Sequence, residues 1–361
     1  MTAPLTILVC PLDWGLGHAA RCIPIIRKLL ARGHKVIICA DRRPLSLLQT
    51  EFPSLEFIRL PGFAVTYPDS GWMALKMVAQ TPRLIVSSIR ENRQLNRIIR
   101  ESKIDAVISD NRFGLFTRRA RCIYITHQLW IKCPPGLAWL EPLLHRLHRW
   151  IIGLYDECWI PDFPGEPNLS GDLSHRGKLP ANAHFIGPLS RFSKATASLL
   201  ETAGSEHPPL LPPASGGGEL YDLLVILSGP EPQRTLFERQ VLAQAGRLAG
   251  RVLIVQGKPE DKAARRREAN LDIVPHLPTA EMQREIQSAQ VILARPGYST
   301  IMDLTVLGKP AILVPTPGQT EQQYLADKFS RAGIYYCEQQ SELNLPRALE
   351  KVLGGRGFNP P

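Results

Sequence analysis

Residues 291–323 read VILARPGYSTIMDLTVLGKPAILVPTPGQTEQQ, and their punctuation leaves the chain few options. An apolar run over 291–294 stops at Arg295-Pro296-Gly297. Tyr298-Ser299-Thr300 carries a helix-start signal, and a helical pattern continues to Leu307. Gly308-Lys309-Pro310 breaks it before a second apolar run over 311–314. The order is strand, glycine turn, helix, strand, with a polar loop after each strand. Strands joined this way present those loops along one sheet edge, where ligands of open α/β sheets bind. Gly297 lets backbone approach a ligand closely, and a helix beginning near Ser299 and Thr300 offers free N–H groups carrying about half a positive charge. Asp303, at the same helix end, supplies a carboxylate suited to a ribose diol. Such a set fits a nucleoside diphosphate.

The same alternation runs through the whole chain. Strand-like runs at 6–10, 35–40, 56–60, 106–109, 122–126 and 158–160 enclose helical stretches, among them 18–31 and 74–101. A second series follows at 222–227, 251–256, 273–275, 291–294, 311–314 and 334–337. Two successive β/α series predict an α/β protein of two doubly wound parallel sheets, with loops facing a cleft. Residues 193–218 include SEHPPLLPPASGGG, a Pro/Gly/Ser cluster that reads as a linker or mobile loop. The expected division is 1–190, a linker over 191–220, a second domain over 221–340, and a last helix within 341–361 that crosses back to the first domain.

The pattern Arg295-x-Gly297-x-x-Thr300-x-x-Asp303, then Gly308-x-Pro310, a hydrophobic strand and Gln322-Gln323, resembles the donor half of GT-B glycosyltransferases. It is similar to glycosyltransferase family 28, the MurG-type enzymes that move N-acetylglucosamine from UDP onto a lipid-linked acceptor. The resemblance is dense over 271–330 and weaker elsewhere. It implies a GT-B fold, an N-terminal acceptor domain and a C-terminal donor domain. It also implies donor contacts from Ser228, Gly229, Arg234, Leu277, Arg295, Gly297, Ser299, Thr300, Asp303, Gln322 and Gln323. In this frame Leu277 flanks the base, and the two glutamines meet donor-sugar hydroxyls because amides donate and accept at once. Arg234 brings positive charge to the diphosphate.

The first strand ends in Pro11-Leu-Asp13-Trp-Gly15-Leu-Gly17-His18, where the family carries Gly-Gly-Thr-Gly-Gly and a histidine. Gly15, Gly17 and His18 keep that frame, and the rest departs from it. An inverting transfer needs a base for the acceptor hydroxyl. Asp13 and His18 are the two candidates, and a histidine at a helix start is held towards its neutral form by the dipole. Asp110-Asn111 after the fourth strand is suited to bind acceptor hydroxyls or to brace the first loop, an Asx-turn being the plain alternative. His127, after the next strand, is a further acceptor-side candidate. In the second half, Pro230 and Pro232 remove N–H donors from the loop after 222–227.

Composition narrows the function classes. Of 43 Lys+Arg and 33 Asp+Glu, 24 and 15 fall in residues 1–190, so the first half carries +9 of the formal +10. That asymmetry favours an anionic partner, and without a nucleic-acid motif a membrane surface or phosphate-bearing acceptor fits better than nucleic acid. Residues 137–155, LAWLEPLLHRLHRWIIGLY, combine aromatic, apolar and basic residues as an interfacial helix does, with Pro142 at its start. A core helix packed on the sheet is the alternative. No apolar run reaches the roughly 18 residues of a membrane span, and the N-terminus enters a strand without a basic leader. Seven cysteines without CxxC read as reduced thiols in a cytoplasmic protein, peripheral at most to the inner membrane face. Without Asp-x-Asp or a ligand-spaced His/Cys cluster, neither metal nor other cofactor is expected beyond the UDP-sugar co-substrate. The expected activity is an inverting, metal-independent transfer from a UDP-sugar, N-acetylglucosamine by resemblance, to a lipid-linked or envelope acceptor. The alternatives are a partner-dependent sugar-nucleotide-binding subunit or a GT-B-type UDP-N-acetylglucosamine epimerase. A dehydrogenase is disfavoured because no Gly-x-Gly-x-x-Gly follows the first strand.

Overall fold

Each predicted β/α series closes into its own seven-stranded sheet. The computed structural model describes residues 3–63, 73–134, 136–192 and 220–354. The predicted linker therefore lies almost wholly outside the described residues. The first sheet contains β1 Thr6–Pro11, β2 Lys35–Ala40, β3 Glu56–Arg59, β4 Ala106–Asp110, β5 Arg121–Ile125, β6 Glu157–Ile160 and β7 Ala183–Phe185. Their order is β3-β2-β1-β4-β5-β6-β7, and every pair is parallel. The second contains β8 Tyr221–Ile226, β9 Val252–Val255, β10 Arg266–Glu268, β11 Leu271–Val274, β12 Ala289–Ala294, β13 Ala311–Leu313 and β14 Tyr336–Cys337. It runs β10-β11-β9-β8-β12-β13-β14, with only the edge strand β10 antiparallel. Central strands buried on both faces explain the near-continuous apolar runs, such as Leu8, Val9 and Cys10 at 0% exposure.

The direction of winding reverses between β1 and β4 in the first sheet and between β8 and β12 in the second. Loops from the two central strands diverge there and open a crevice at the carboxyl edge. Register brings Pro11 beside Asp110 at one crevice and Ile226 beside Ala294 at the other. Two helices start from these edges: α1 Leu16–Ala31 after β1, and a helix over Tyr298–Leu307 after β12. Between them along the chain lie α2 Arg42–Glu51, α3 Met73–Glu101, α4 Glu141–Ile152, α5 Asp172–His175, α6 Gln233–Ala245 and α7 Thr279–Ser288. The helix over Tyr298–Leu307 is thus α8; α9 Thr320–Arg331 and α10 Leu345–Gly354 follow.

The last helix does not return to the first domain within the described residues. Leu345, Ala348 and Val352 of α10 are buried in one cluster with Val291, Leu293 and Ile312 of the second sheet. Its apolar stripe is spent there. The two domains instead meet through an apolar seam in which Leu169, Leu173 and Phe192 join the core around Tyr298, Ile301 and Leu325.

Within residues 137–155, helix α4 packs on the sheet by one narrow face and leaves an apolar face exposed. Pro142 lies in its first turn, and only His148 and Ile152 are buried. Trp139 (72% exposed), Leu143, Leu147 and Trp150 (63%) form a stripe at spacings of four, four and three that faces outward. Ile85, Val86 and Ile89 of α3 are exposed as well. No helix among the described residues is long and apolar enough to cross a membrane.

Candidate active site

His18 is the third residue of α1 and Asp110 the last of β4, so the first crevice brings them together. His18 Nδ1 lies 3.2 Å from Asp110 Oδ2. Asp110 is completely buried, and Arg21, one helical turn after His18, chelates it through Nε at 2.9 and 2.8 Å and through Nη2. Burial alone would raise the Asp110 carboxyl, but Arg21 and His18 outweigh it and hold the group at about 2. Asp110 therefore stays ionised. His18 is pushed down by burial and by the Arg21 cation, with Asp110 opposing, so its neutral form is favoured. A neutral imidazole whose Nδ1–H is held by a carboxylate presents Nε2 as a base.

Asp13 does not share that role. Its carboxylate accepts N–H bonds from Gly62 at 3.0 Å and Asp41 at 3.3 Å, with Arg112 3.8 Å away. Burial raises it to about 6. It ties the first loop to the loops after β2 and β3, and both its oxygens are occupied. Asp110 and Asn111 likewise brace rather than face an acceptor. Asn111 adopts φ 57°, and its side-chain oxygen accepts the Tyr124 hydroxyl at 2.8 Å. Gly15 caps α1 with open space beside it.

The two crevices face each other and touch. Ser299 Oγ donates to the Gly17 carbonyl at 2.9 Å, so the N-terminal ends of α1 and α8 meet. A Cβ on Gly17 would lie 3.0 Å from Ser299 Oγ, which makes glycine the residue that permits this approach. Gly297 caps α8, and Ser299 and Thr300 open it. Thr300 and Asp303 line a cavity of about 80 Å³ together with Ser228, Gly257, His276 and Arg191. Asp303 accepts the Ser190 hydroxyl at 2.6 Å and is raised to about 6 by burial, against Arg191 and that bond. Burial, with Arg191 adding to it, depresses His276 to about 4. His276 Nε2 and Arg191 Nε are buried with no hydrogen-bond partner. Buried polar atoms of this kind are satisfied by a polar ligand or by water. Leu277 is buried in the neighbouring core. Small-molecule pockets occupy roughly 300–1,000 Å³, so a nucleotide requires this closed cleft to part.

Other donor-side candidates lie elsewhere or are occupied. Arg295 is buried, donates to the Val314 carbonyl at 3.0 Å and to Gln340 at 2.7 Å, and stacks 3.9 Å over Phe237. It pins the second core. Arg234 is held by Glu231 at 2.6 Å and Glu238 at 2.9 Å, so two carboxylates consume its charge. Gln322 uses its side-chain oxygen to hold the Thr316 N–H at 2.8 Å. Gln323 lines a separate groove with Asp327 and Tyr336. Gly229 takes φ 103° beside Ser228, as a glycine turn after β8 requires.

His127 crosses the cleft. Its Nε2 lies 2.8 Å from Glu321 Oε1 in the first turn of α9, and its ring stacks on Tyr298 with centroids 4.0 Å apart. Its Nδ1 lies 3.0 Å from Arg21 Nη1. It meets the second domain and not open acceptor space. The sequence reading passed over Arg21, Glu321 and Arg191. Only Arg21 left a signal, a charge three residues after His18 with apolar residues on either side, Ala19-Ala20 and Cys22-Ile23.

Two family descriptions match the chain. Residues 223–356 match the glycosyltransferase family 28 C-terminal domain, and residues 7–126 match glycosyl transferase family 1. An uncharacterized glycosyltransferase of Methanosarcina acetivorans is 24% identical over 93% of this chain and 83% of its own length. A UDP-N-acetylglucosamine--N-acetylmuramyl-(pentapeptide) pyrophosphoryl-undecaprenol N-acetylglucosamine transferase of Caldicellulosiruptor saccharolyticus is 32% identical, over 24% of each chain. Among solved structures, the spinosyn rhamnosyltransferase SpnG aligns over 98% of this chain and 93% of its own, with a TM-score of 0.64 at 17% identity. SnogD, a glycosyltransferase from Streptomyces nogalater, covers 98% of this chain and 92% of its own at 0.58 and 15%. The paired sheets and the matched domains agree: the chain is a glycosyltransferase of the GT-B type, related to the MurG enzymes through its family 28 C-terminal domain.

Proposed function

We propose that the protein is an inverting, metal-independent transferase that moves N-acetylglucosamine from a UDP-sugar to a hydroxyl of a lipid-linked, cell-envelope acceptor. The observation that carries this reading is His18, held on ionised Asp110, facing the N-terminus of α8 across the 2.9 Å Ser299–Gly17 contact. His18 Nε2 takes the acceptor proton as its oxygen attacks the anomeric carbon, and the bond to the UDP oxygen breaks on the opposite side. The α8 N–H groups near Ser299 and Thr300 stabilise the departing diphosphate, which gives that job to backbone dipoles. Asp303 clasps the ribose diol, while Arg191 and His276 supply the unpaired polar atoms beside it. The name of the Caldicellulosiruptor saccharolyticus transferase, similar over 24% of this chain, includes UDP-N-acetylglucosamine and a pyrophosphoryl-undecaprenol acceptor, which supports both substrate classes.

A peripheral seat on the cytoplasmic membrane face fits the outward stripe of α4, the exposed Arg146 beside it and the +9 first half. All seven cysteines are unpaired, which suits a reducing compartment. The functional test is transfer of label from UDP-N-acetylglucosamine to a membrane-lipid extract in the presence of EDTA. The expected result is labelled lipid with wild type and a fall of about 10²–10⁴-fold with His18→Ala. Equal transfer by the variant overturns His18 as base, and label that appears only with added metal overturns the metal-independent reading.

A further inference from the structure

Arg21 is 1% exposed, yet its guanidinium reaches three other side chains of the site. Nε and Nη2 bind Asp110, Nη2 stands 2.9 Å from His18 Nδ1, and Nη1 stands 3.0 Å from His127 Nδ1. A guanidinium has five N–H donors and nothing that accepts. His127 Nδ1 meets this donor and no acceptor, so it is the bare nitrogen, which leaves the proton of singly protonated His127 on Nε2; His18 Nδ1 differs, because Asp110 Oδ2 at 3.2 Å accepts its proton while Nη2 is directed to Asp110 Oδ1. The His127 Nε2 nitrogen is the one 2.8 Å from Glu321 Oε1 in the other domain. Stacking on Tyr298, the first residue of α8, fixes the ring plane at 3°. Each donor in the series Arg21, His127, Glu321 thus finds an acceptor, and the series crosses the cleft.

We infer that Arg21 is a positioning residue that ties the base to domain closure: it selects the His127 tautomer that clasps Glu321 in the closed form, while the same cation stands beside His18 and holds Asp110. The clasp itself is independent of the reaction, whereas its effect on turnover rests on the reading of His18 as the base. Parting of the domains to admit a nucleotide breaks the His127–Glu321 bond, and closure over a bound donor restores it. The charged and titratable groups that face His18 are Arg21 on its own helix, Asp110 from β4, His127 from the loop after β5 and Glu321 from α9. Loss of the cation leaves two carboxylates around the imidazole, so His18 then holds its proton to higher pH.

The direct test is imidazole nitrogen NMR of the full ¹⁵N-labelled chain at pH 7.5, with His127 assigned by comparison with His127→Gln. The expected wild-type spectrum shows a bare Nδ1 and a protonated Nε2 on His127, and a mixture of tautomers in Arg21→Met. A wild-type His127 protonated on Nδ1 overturns the proposal without any variant, and so does an unchanged tautomer in a folded Arg21→Met. At the other end of the clasp, Glu321→Gln still offers an oxygen to the His127 N–H, and Glu321→Ala does not. The Gln variant is expected to transfer sugar at least about tenfold faster than the Ala variant; equal rates overturn the clasp. In Arg21→Met the acid limb of the kcat/KM profile is expected to move up by about one pH unit, and an unmoved limb removes the coupling to the base. Full transfer by His18→Ala would instead sink the base reading and leave the tautomer and clasp results standing.

Discussion

Asp303 shows how a site residue sets stability against function. Its folded-state value of about 6 exceeds the ordinary 3.8 because burial outweighs the Arg191 charge and the Ser190 bond. The folded chain therefore keeps a proton that the unfolded chain releases between about pH 4 and 6. Stability from this group is fully present below the lower value and is lost as pH rises through the upper one. Asp303→Asn should consequently stabilise the free protein at pH 7.5, by on the order of 2 kcal/mol, with little gain at pH 4. Thermal melts at the two pH values check this, and a variant less stable at pH 7.5 would contradict it. The residues at the sheet edges, His18, Ser299, Thr300 and Asp303, were legible because glycine turns and helix starts announce them. Glu231 and Glu238 flank Arg234 at helical spacing, whereas the partners of Asp13 and Arg295 were not legible because they are distant in sequence, Arg112 lying 99 residues from Asp13 and Val314 and Gln340 lying 19 and 45 residues from Arg295. Glu321 was invisible for the same reason, its partner His127 being 194 residues away.

At the scale of elements, periodicity located the long apolar strands and the helices between them. Two short strands escaped it. β10 is Arg-Arg-Glu at an antiparallel edge, where neither burial nor alternation marks it, and β7 spans only three residues. Periodicity also fixes that a helix has an apolar stripe but not which way the stripe points. In α10 the stripe faces the second core, and in α4 it faces outward while His148 and Ile152 hold the helix on the sheet. The α4 stripe should bind vesicles. Sedimentation with anionic phospholipid vesicles should capture the wild type at low salt, with capture weakened by salt and reduced several-fold by Trp139→Ala combined with Trp150→Ala. Capture that ignores both salt and the double substitution would reject this surface as the contact.

At the scale of the whole molecule, the doubly wound order was readable because two β/α series of similar length repeat along one chain. Its consequence, two switch points face to face, places groups from both halves within 3 Å of each other at Ser299 and Gly17. The closed cleft leaves about 80 Å³, so donor entry and domain parting are one event. The proposed function divides the work between the halves: the first domain would hold the base, and the second the nucleotide through α8 and Asp303 without a metal. Calorimetric titration of UDP-N-acetylglucosamine and of GDP in EDTA, into wild type and Asp303→Asn, tests that division most directly. Binding that prefers the uridine nucleotide, needs no metal and weakens about 10- to 100-fold in the variant, as loss of a charged hydrogen bond implies, is the predicted result. Equal affinity for both nucleotides, or for wild type and variant, would contradict the donor site.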